Sequence, residues 1–313
     1  MLIREAIELD IPKILEVLKA SLGETSSKKT EEVWRYKHVD NPFGKSLVLV
    51  AVENDNIIGV RALMKWKWQL GKRIFSTLRA VDTATHPKHQ GKGVFKKLTL
   101  KAIEIAKEQS DHFIFNTPNT QSLPGYLKMD WEEVSKLKIN LSFINPIHFL
   151  NSDKNFKYTI QKSREETLFK EFIDNSNSIN AKKPKLFTVK SPEYLSWRFE
   201  KNPLQKYEVK SGNDFYLATY IKEHKYFNEL RVVEHMYNGE LGLKKIKGSL
   251  KNLTNKMDVH VITSSHKLGN LIGITGNFGP ILTLRNLNLK KDINKNLLNI
   301  SNWNYSLGDL ELF

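Results

Sequence analysis

Apolar positions along the chain fall into short runs of two periodicities. Ile11, Leu15, Leu18 and Leu22 are spaced four, three and four apart, one face of a helix. Asp10 is placed to cap that helix, Pro12 is tolerated in its first turn, and Gly23 closes it. Apolar-rich stretches near 46–53 and 57–68 flank the polar Glu53-Asn54-Asp55-Asn56, which predicts two strands joined by a hairpin turn. A third strand over about 75–85 leads into the loop Thr85-His86-Pro87-Lys88-His89-Gln90-Gly91-Lys92-Gly93. A helix from Val94 to about Gln109 follows, with Phe95, Leu98, Ala102 and Ile105 on one face. Strand patterns at 2–7, 111–116 and 134–143 complete a β-α-β-β-β-α-β-loop-β order, an α/β domain.

The second half is a faint copy of the first. Trp34-Arg35-Tyr36 and Asn41-Pro42 return as Trp197-Arg198-Phe199 and Asn202-Pro203. Leu78-Arg79-Ala80-Val81-Asp82 returns as Leu230-Arg231-Val232-Val233-Glu234, and the strand from Asp111 to Asn116 as Asp258 to Thr263. Eight residues separate Asp82 from Gly91 but only four separate Glu234 from Gly239, so the copy has no room for the long loop. Residues shared by both halves are expected to hold up the fold, and those confined to the first to carry chemistry. Asp82, matched by Glu234, is then as well read structurally as catalytically.

At about 150 residues per domain, 313 residues suggest two domains, placed at 1–150 and 151–313. The absence of cysteine excludes disulfides, thiolate nucleophiles and Cys-ligated metals. The nine His show no metal-ligand spacing. No apolar run approaches the roughly 18 residues of a membrane span, and Met1-Leu2-Ile3-Arg4-Glu5 lacks the basic head and apolar stretch of a signal peptide. A cytoplasmic location is expected. The net charge of +15 comes mostly from scattered Lys, with only nine Arg. Nucleic acid is therefore not the expected partner, whereas a phosphorylated small ligand suits a positive surface.

Gln90-Gly91-Lys92-Gly93-Val94-Phe95 joins a strand to a helix, and its successive amides suit a pyrophosphate at the helix N-terminus. It is neither a Walker loop nor a dinucleotide fingerprint. Gly44-Lys45-Ser46 has Val39 where a Walker loop needs Gly, and Gly91-x-Gly93 is followed by Lys96 in place of a third Gly.

With these residues the sequence resembles the GNAT superfamily of acyl-CoA N-acyltransferases. Ile3-Arg4-x-Ala6-x-x-x-Asp10 is similar to the superfamily's opening signature, and Gln90-x-x-Gly93-x-Phe95, after His86-Pro87, to its cofactor motif. Asn119, Ser122, Tyr126 and Asp130-Trp131 are similar to its last motif. Phe95 departs from the small residue usual there, and Asp130 from Gly. The resemblance covers 1–140 and, as a degenerate copy, much of 156–313. It implies two units, each a mixed sheet flanked by helices, the second lacking the coenzyme loop.

The resemblance also implies roles. Backbone at Thr83, Ala84 and Thr85 would pair with the pantetheine arm of acetyl-CoA, the co-substrate. Amides of Gln90, Gly91, Lys92, Gly93, Val94 and Phe95 would hold its pyrophosphate. Tyr126 would be the general acid, and Asn119 would bond the coenzyme arm or cap the helix around 120–127. A primary amine of a small acceptor would attack the thioester directly. Asp82, the terminal carboxylate of Phe313 and water are the candidate bases. Trp66, Trp68 and Tyr36 suggest an aromatic platform for an amino sugar, or else core, since residues two apart on a strand share one face. Two other functions stay open: an aminoacyl or peptidyl transferase using aminoacyl-tRNA, and a non-catalytic acyl-CoA-binding module.

Overall fold

The computed structural model describes residues 1–24, 28–144, 157–256, 259–266, 268 and 272–310. The backbone forms two compact units, neither of them a continuous half of the chain. Among the described residues, one comprises Met1–Ser135 and Pro280–Trp303; the other comprises those of Lys136–Gly279 and residues 304–310.

In the first unit, strands β1 (Leu2–Glu5), β2 (Leu47–Glu53), β3 (Asn56–Leu70), β4 (Arg73–Thr85), β5 (Phe113–Asn116) and β6 (Glu132–Lys136) build a mixed sheet. Helices α1 (Ile11–Leu22), α2 (Glu31–His38), α3 (Val94–Glu108) and the short α4 (Leu123–Leu127) accompany it. The sheet runs β1-β2-β3-β4-β5, then the strand Ile281–Asn286, then β6. Leu47, Leu49, Leu63 and Leu78 pack against Val94, Leu98, Ala102 and Ala106 of α3. Gly59 permits the approach, because a Cβ there would lie 2.7 Å from a Val94 methyl.

The second unit is also a mixed sheet flanked by helices. Its sheet runs from Gly273–Gly276 through β7 (Ile139–Phe143), Val261–Ser264, Asn228–Tyr237, Phe215–Glu223 and Glu208–Gly212 to β8 (Ile160–Ser163). One residue separates the strand Asn228–Tyr237 from the helix Gly239–Lys256, whereas eight residues separate β4 from α3. The second unit therefore has no loop of that length between strand and helix.

A single cut at 150/151 does not follow the packing. Residues 139–143, assigned by sequence to the first domain, form a strand of the second sheet. Residues 281–286, assigned to the second, form a strand of the first. One expected strand over 134–143 is two strands, β6 and β7, in different sheets. Alternating apolar residues mark a strand but do not name the edge it pairs with.

Two further expectations change. Asp10 makes no side-chain cap on α1. Its carboxylate instead accepts from the Ile7 amide at 2.8 Å and from both terminal nitrogens of Arg4 at 2.6 and 2.9 Å. Hydrogen bonding from Arg4 holds that carboxyl below its ordinary range. Trp66, Trp68 and Tyr36 are all buried. Trp66 packs on Phe43 and Phe115, and Trp68 on Phe115 and Trp303, so these rings are core and no platform.

Candidate active site

β4 and β5 pair in parallel only from Thr77↔Phe113 to Arg79↔Phe115, although β4 continues to Thr85. Beyond Arg79 the two strands part, and the β5-facing edge of β4 lacks a partner strand. On its other side, Thr83, Ala84 and Thr85 pair with Arg61, Val60 and Gly59 of β3. A register shift opposite Arg61/Ala62 leaves Asp82 unpaired, with a left-handed φ of +38°.

The bulge gives Asp82 a structural task. Its carboxylate forms an ion pair with Lys37 and lies 3.0 Å from Nε2 of His38, whose Nδ1 lies 2.9 Å from the Ser46 hydroxyl. Burial lowers the His38 imidazole, so it is neutral near pH 7. A carboxylate only accepts, so Nε2 donates to Asp82 and Nδ1 accepts from Ser46. Burial by itself would raise the Asp82 carboxyl. The Lys37 charge and hydrogen bonds from His38 and Lys37 outweigh it and hold the group far below the carboxylate range. A carboxylate so stabilised is a weak proton acceptor.

After β4, the Gln90 side chain donates to the Thr85 carbonyl at 3.2 Å, folding the loop back on the strand end. Gly91 and Gly93 take φ of +77° and +74°, and Gly93 caps α3. Gln90, Gly91, Lys92 and Gly93 are exposed, and Val94 is buried. The first amides of α3 have no carbonyl one turn back, and they open onto this exposed loop. A Cβ at Gly91 or Gly93 would meet nothing within 4 Å, so the glycines serve backbone conformation and the face above them is clear. Phe95, the motif's departure, turns inward: its ring sits edge-on to Tyr126 at 5.7 Å and packs with the core.

Tyr126 lies on α4, which follows a turn braced by Asn119. The Asn119 side-chain oxygen accepts from the Ser122 amide at 2.9 Å and from its hydroxyl at 2.8 Å. Its oxygen is thus engaged in the turn that leads into α4, whose N-cap is Ser122. Asp130 adopts φ +61° where the motif usually has Gly, and Trp131 then packs on the Tyr126 ring at 5.0 Å.

Arg61 of β3 completes the cluster. Its Nη1 donates to the Tyr126 hydroxyl and to Thr83 Oγ1, each at 2.7 Å. The side chain is wholly buried, and its Nε and Nη2 have no partner among the described residues. Sequence reasoning missed it. The available signal was a single charge inside the apolar run Ile57-Ile58-Gly59-Val60-Arg61-Ala62-Leu63-Met64.

Residues 2–134 match the family model described as an acetyltransferase (GNAT) domain. Over that stretch the chain is similar to a GNAT acetyltransferase domain. A probable N-acyltransferase from Enterococcus faecalis V583 superposes with a TM-score of 0.67 at 9% identity, over 92% of this chain and 73% of that one. A GCN5-related N-acetyltransferase from Kribbella flavida gives 0.65 at 13%, over 92% and 71%. Eis1 from Mycobacterium abscessus gives 0.59 at 10%, over 92% and 74%. At such identities the likeness is one of fold. No curated protein matches the sequence.

In the first unit Arg61 links Tyr126 to Thr83, on the part of β4 that has no neighbour toward β5. The terminal carboxylate of Phe313 lies outside the described residues. No metal-holding group of side chains and no helix long and apolar enough to cross a membrane occurs among the described residues.

The second unit holds a cavity of about 460 Å³ beside the end of the strand Asn228–Tyr237. At its wall Lys190 pairs with Glu234 and, at 3.2 Å, with Asp309, while the Tyr194 hydroxyl donates to Asp309 at 3.1 Å. By sequence Glu234 is the echo of Asp82, and each carboxylate is paired with a lysine. The two differ in register: Asp82 is the unpaired bulge residue of β4, whereas Glu234 pairs with Ala218 and its neighbour Val233 is the one left unpaired.

Proposed function

We propose that the chain transfers an acyl group, in the simplest case acetyl, from acyl-CoA to the primary amine of a small acceptor by direct attack. The amides from Gln90 to Phe95 hold the pyrophosphate, and the free edge of β4 at Thr83, Ala84 and Thr85 aligns the pantetheine arm. The coenzyme supplies an activated thioester carbon. The amine nitrogen bonds to that carbon as the carbon–sulfur bond breaks, and Tyr126 gives its proton to the departing sulfur. Asp82 is committed to Lys37 and His38, so the proton leaving the amine passes to water. The buried rings of Trp66, Trp68 and Tyr36 remove the argument for an amino sugar. The acceptor class stays a small primary amine.

One observation carries this reading. The Tyr126 oxygen accepts from Arg61, a group that only donates, and among the described residues the hydroxyl proton has no acceptor. A tyrosine so placed beside an unpaired strand edge is an acid with its proton free.

The test is thiol release from acetyl-CoA across a panel of primary amines, alongside calorimetric titration of CoA. Tyr126→Phe is expected to slow turnover at least about tenfold with unchanged CoA affinity. CoA binding without turnover on any amine leaves a binding module. No CoA binding removes the proposal altogether.

A further inference from the structure

The buried guanidinium has a task beyond packing: we infer that Arg61 is a positioning residue that makes Tyr126 a proton donor and stabilises the phenolate left behind. The inference rests on the acyl-transfer reading above and adds a residue that no motif of the sequence marked.

Three observations carry it. First, one nitrogen, Nη1, reaches both Thr83 Oγ1 and the Tyr126 oxygen at 2.7 Å. Thr83 belongs to the stretch of β4 that lacks a neighbour toward β5, so Arg61 ties the acid to the strand proposed to align the thioester. The Thr83 hydroxyl donates in turn to the Val81 carbonyl at 3.2 Å, which leaves its oxygen free to receive Arg61.

Second, the guanidinium is buried without a carboxylate. No acidic side chain pairs with it among the described residues, and its carbon lies 5.3 Å from the Tyr126 ring centre and 5.9 Å from that of Phe95. A buried cation is costly unless something answers its charge. Two aromatic faces do so only in part. A negative charge appearing on the tyrosine oxygen as its proton departs answers it fully, and at hydrogen-bond distance. The cation thus interacts more strongly with the reacting state than with the resting one, which is what accelerates a step.

Third, the donor geometry fixes direction. Arginine has donors and no acceptor, so Tyr126 cannot give its proton to Arg61 and must point it elsewhere. Glutamine would not reproduce this, and lysine, also a donor only, keeps the direction without the fixed geometry. Lysine is a mobile point charge, and glutamine offers an acceptor that would capture the proton.

A double-mutant cycle tests the inference, using Arg61→Met, Arg61→Lys, Tyr126→Phe and the combinations in the full chain. In the tyrosine background, Arg61→Met is expected to lower kcat about 10- to 100-fold, the range of a lost acid–base or charge-stabilising contribution. KM for acetyl-CoA and the calorimetric Kd for CoA should stay within about twofold, and Arg61→Lys should recover part of the loss. In the Tyr126→Phe background, the same change should cost less than about threefold, because the partner is gone. An equal loss in both backgrounds, or a weakening of CoA binding that accounts for the loss, overturns the role and leaves Arg61 a packing residue. If Arg61→Met does not fold, judged by thermal unfolding, the cycle is run with Arg61→Lys, and the same two comparisons decide. Inactivity of the unmodified chain sinks the acyl-transfer reading itself. Additivity in an active chain sinks only this inference.

Discussion

Oδ2 of Asp82 lies 3.0 Å from Nε2 of His38 and is ion-paired with Lys37, so a residue of the bulged β4 anchors the C-terminal turn of α2. Asp82→Asn removes the charge that Lys37 and His38 answer. The expected loss at pH 7 is about 3–5 kcal/mol by denaturant unfolding, the cost of breaking a buried pair. The folded carboxyl is depressed, so its contribution is present above the unfolded value of about 4 and fades as pH falls below it. The variant should therefore lose less than the parent on acidification below pH 4. An unchanged acid limb would remove Asp82 from this role.

The loop makes a separate prediction at Gly93. Its φ of +74° is left-handed and a Cβ there meets no neighbour, so Gly93→Ala is penalised through the backbone alone, by about 1–2 kcal/mol. If the strain is relieved by turning the amides, calorimetry should show weaker CoA binding with a native-like circular dichroism spectrum. Unaltered CoA affinity would mean that these amides do not hold the pyrophosphate.

Asn119 is separable from coenzyme binding by its choice of replacement. The turn before α4 uses only the side-chain oxygen, which Asp also supplies. Asn119→Asp should keep kcat and CoA affinity near the parent, while Asn119→Ala loses about 1 kcal/mol of local stability and slows turnover through Tyr126. A large loss of CoA affinity in Asn119→Asp would instead assign its amide to the coenzyme.

The second unit has its own titration. Burial, with the charges of His266 and Lys190 adding to it, pushes the His235 imidazole down to about 3. Its folded value lies below the unfolded one of about 6.5, so stability present above pH 6.5 is lost as pH falls toward 3. Between pH 7 and 5 the parent should lose about 1–2 kcal/mol from this group, and His235→Gln should flatten that slope in denaturant unfolding. An identical slope in both proteins would show that His235 protonates freely in the folded state.

The strand–loop–helix around Gly91 and Gly93, the turn at Asp130 and the course of β2 to α3 were all legible in the sequence. Each depends on residues within one or two turns of one another: a left-handed φ needs Gly or tolerates Asp, and apolar spacing declares a helix or a strand. The missing loop of the second unit was likewise a matter of counting residues between Glu234 and Gly239.

Tertiary structure alone decided the rest. It placed 281–286 in the first sheet and 139–143 in the second, because a strand's own pattern carries no record of the edge that will satisfy its hydrogen bonds. It buried Trp66 and Trp68 against Phe115 and Trp303, settling between two faces that strand periodicity treats alike. And it brought Arg61 to Tyr126 across 65 residues of chain, where a lone charge in an apolar run acquires meaning only from the oxygen it meets.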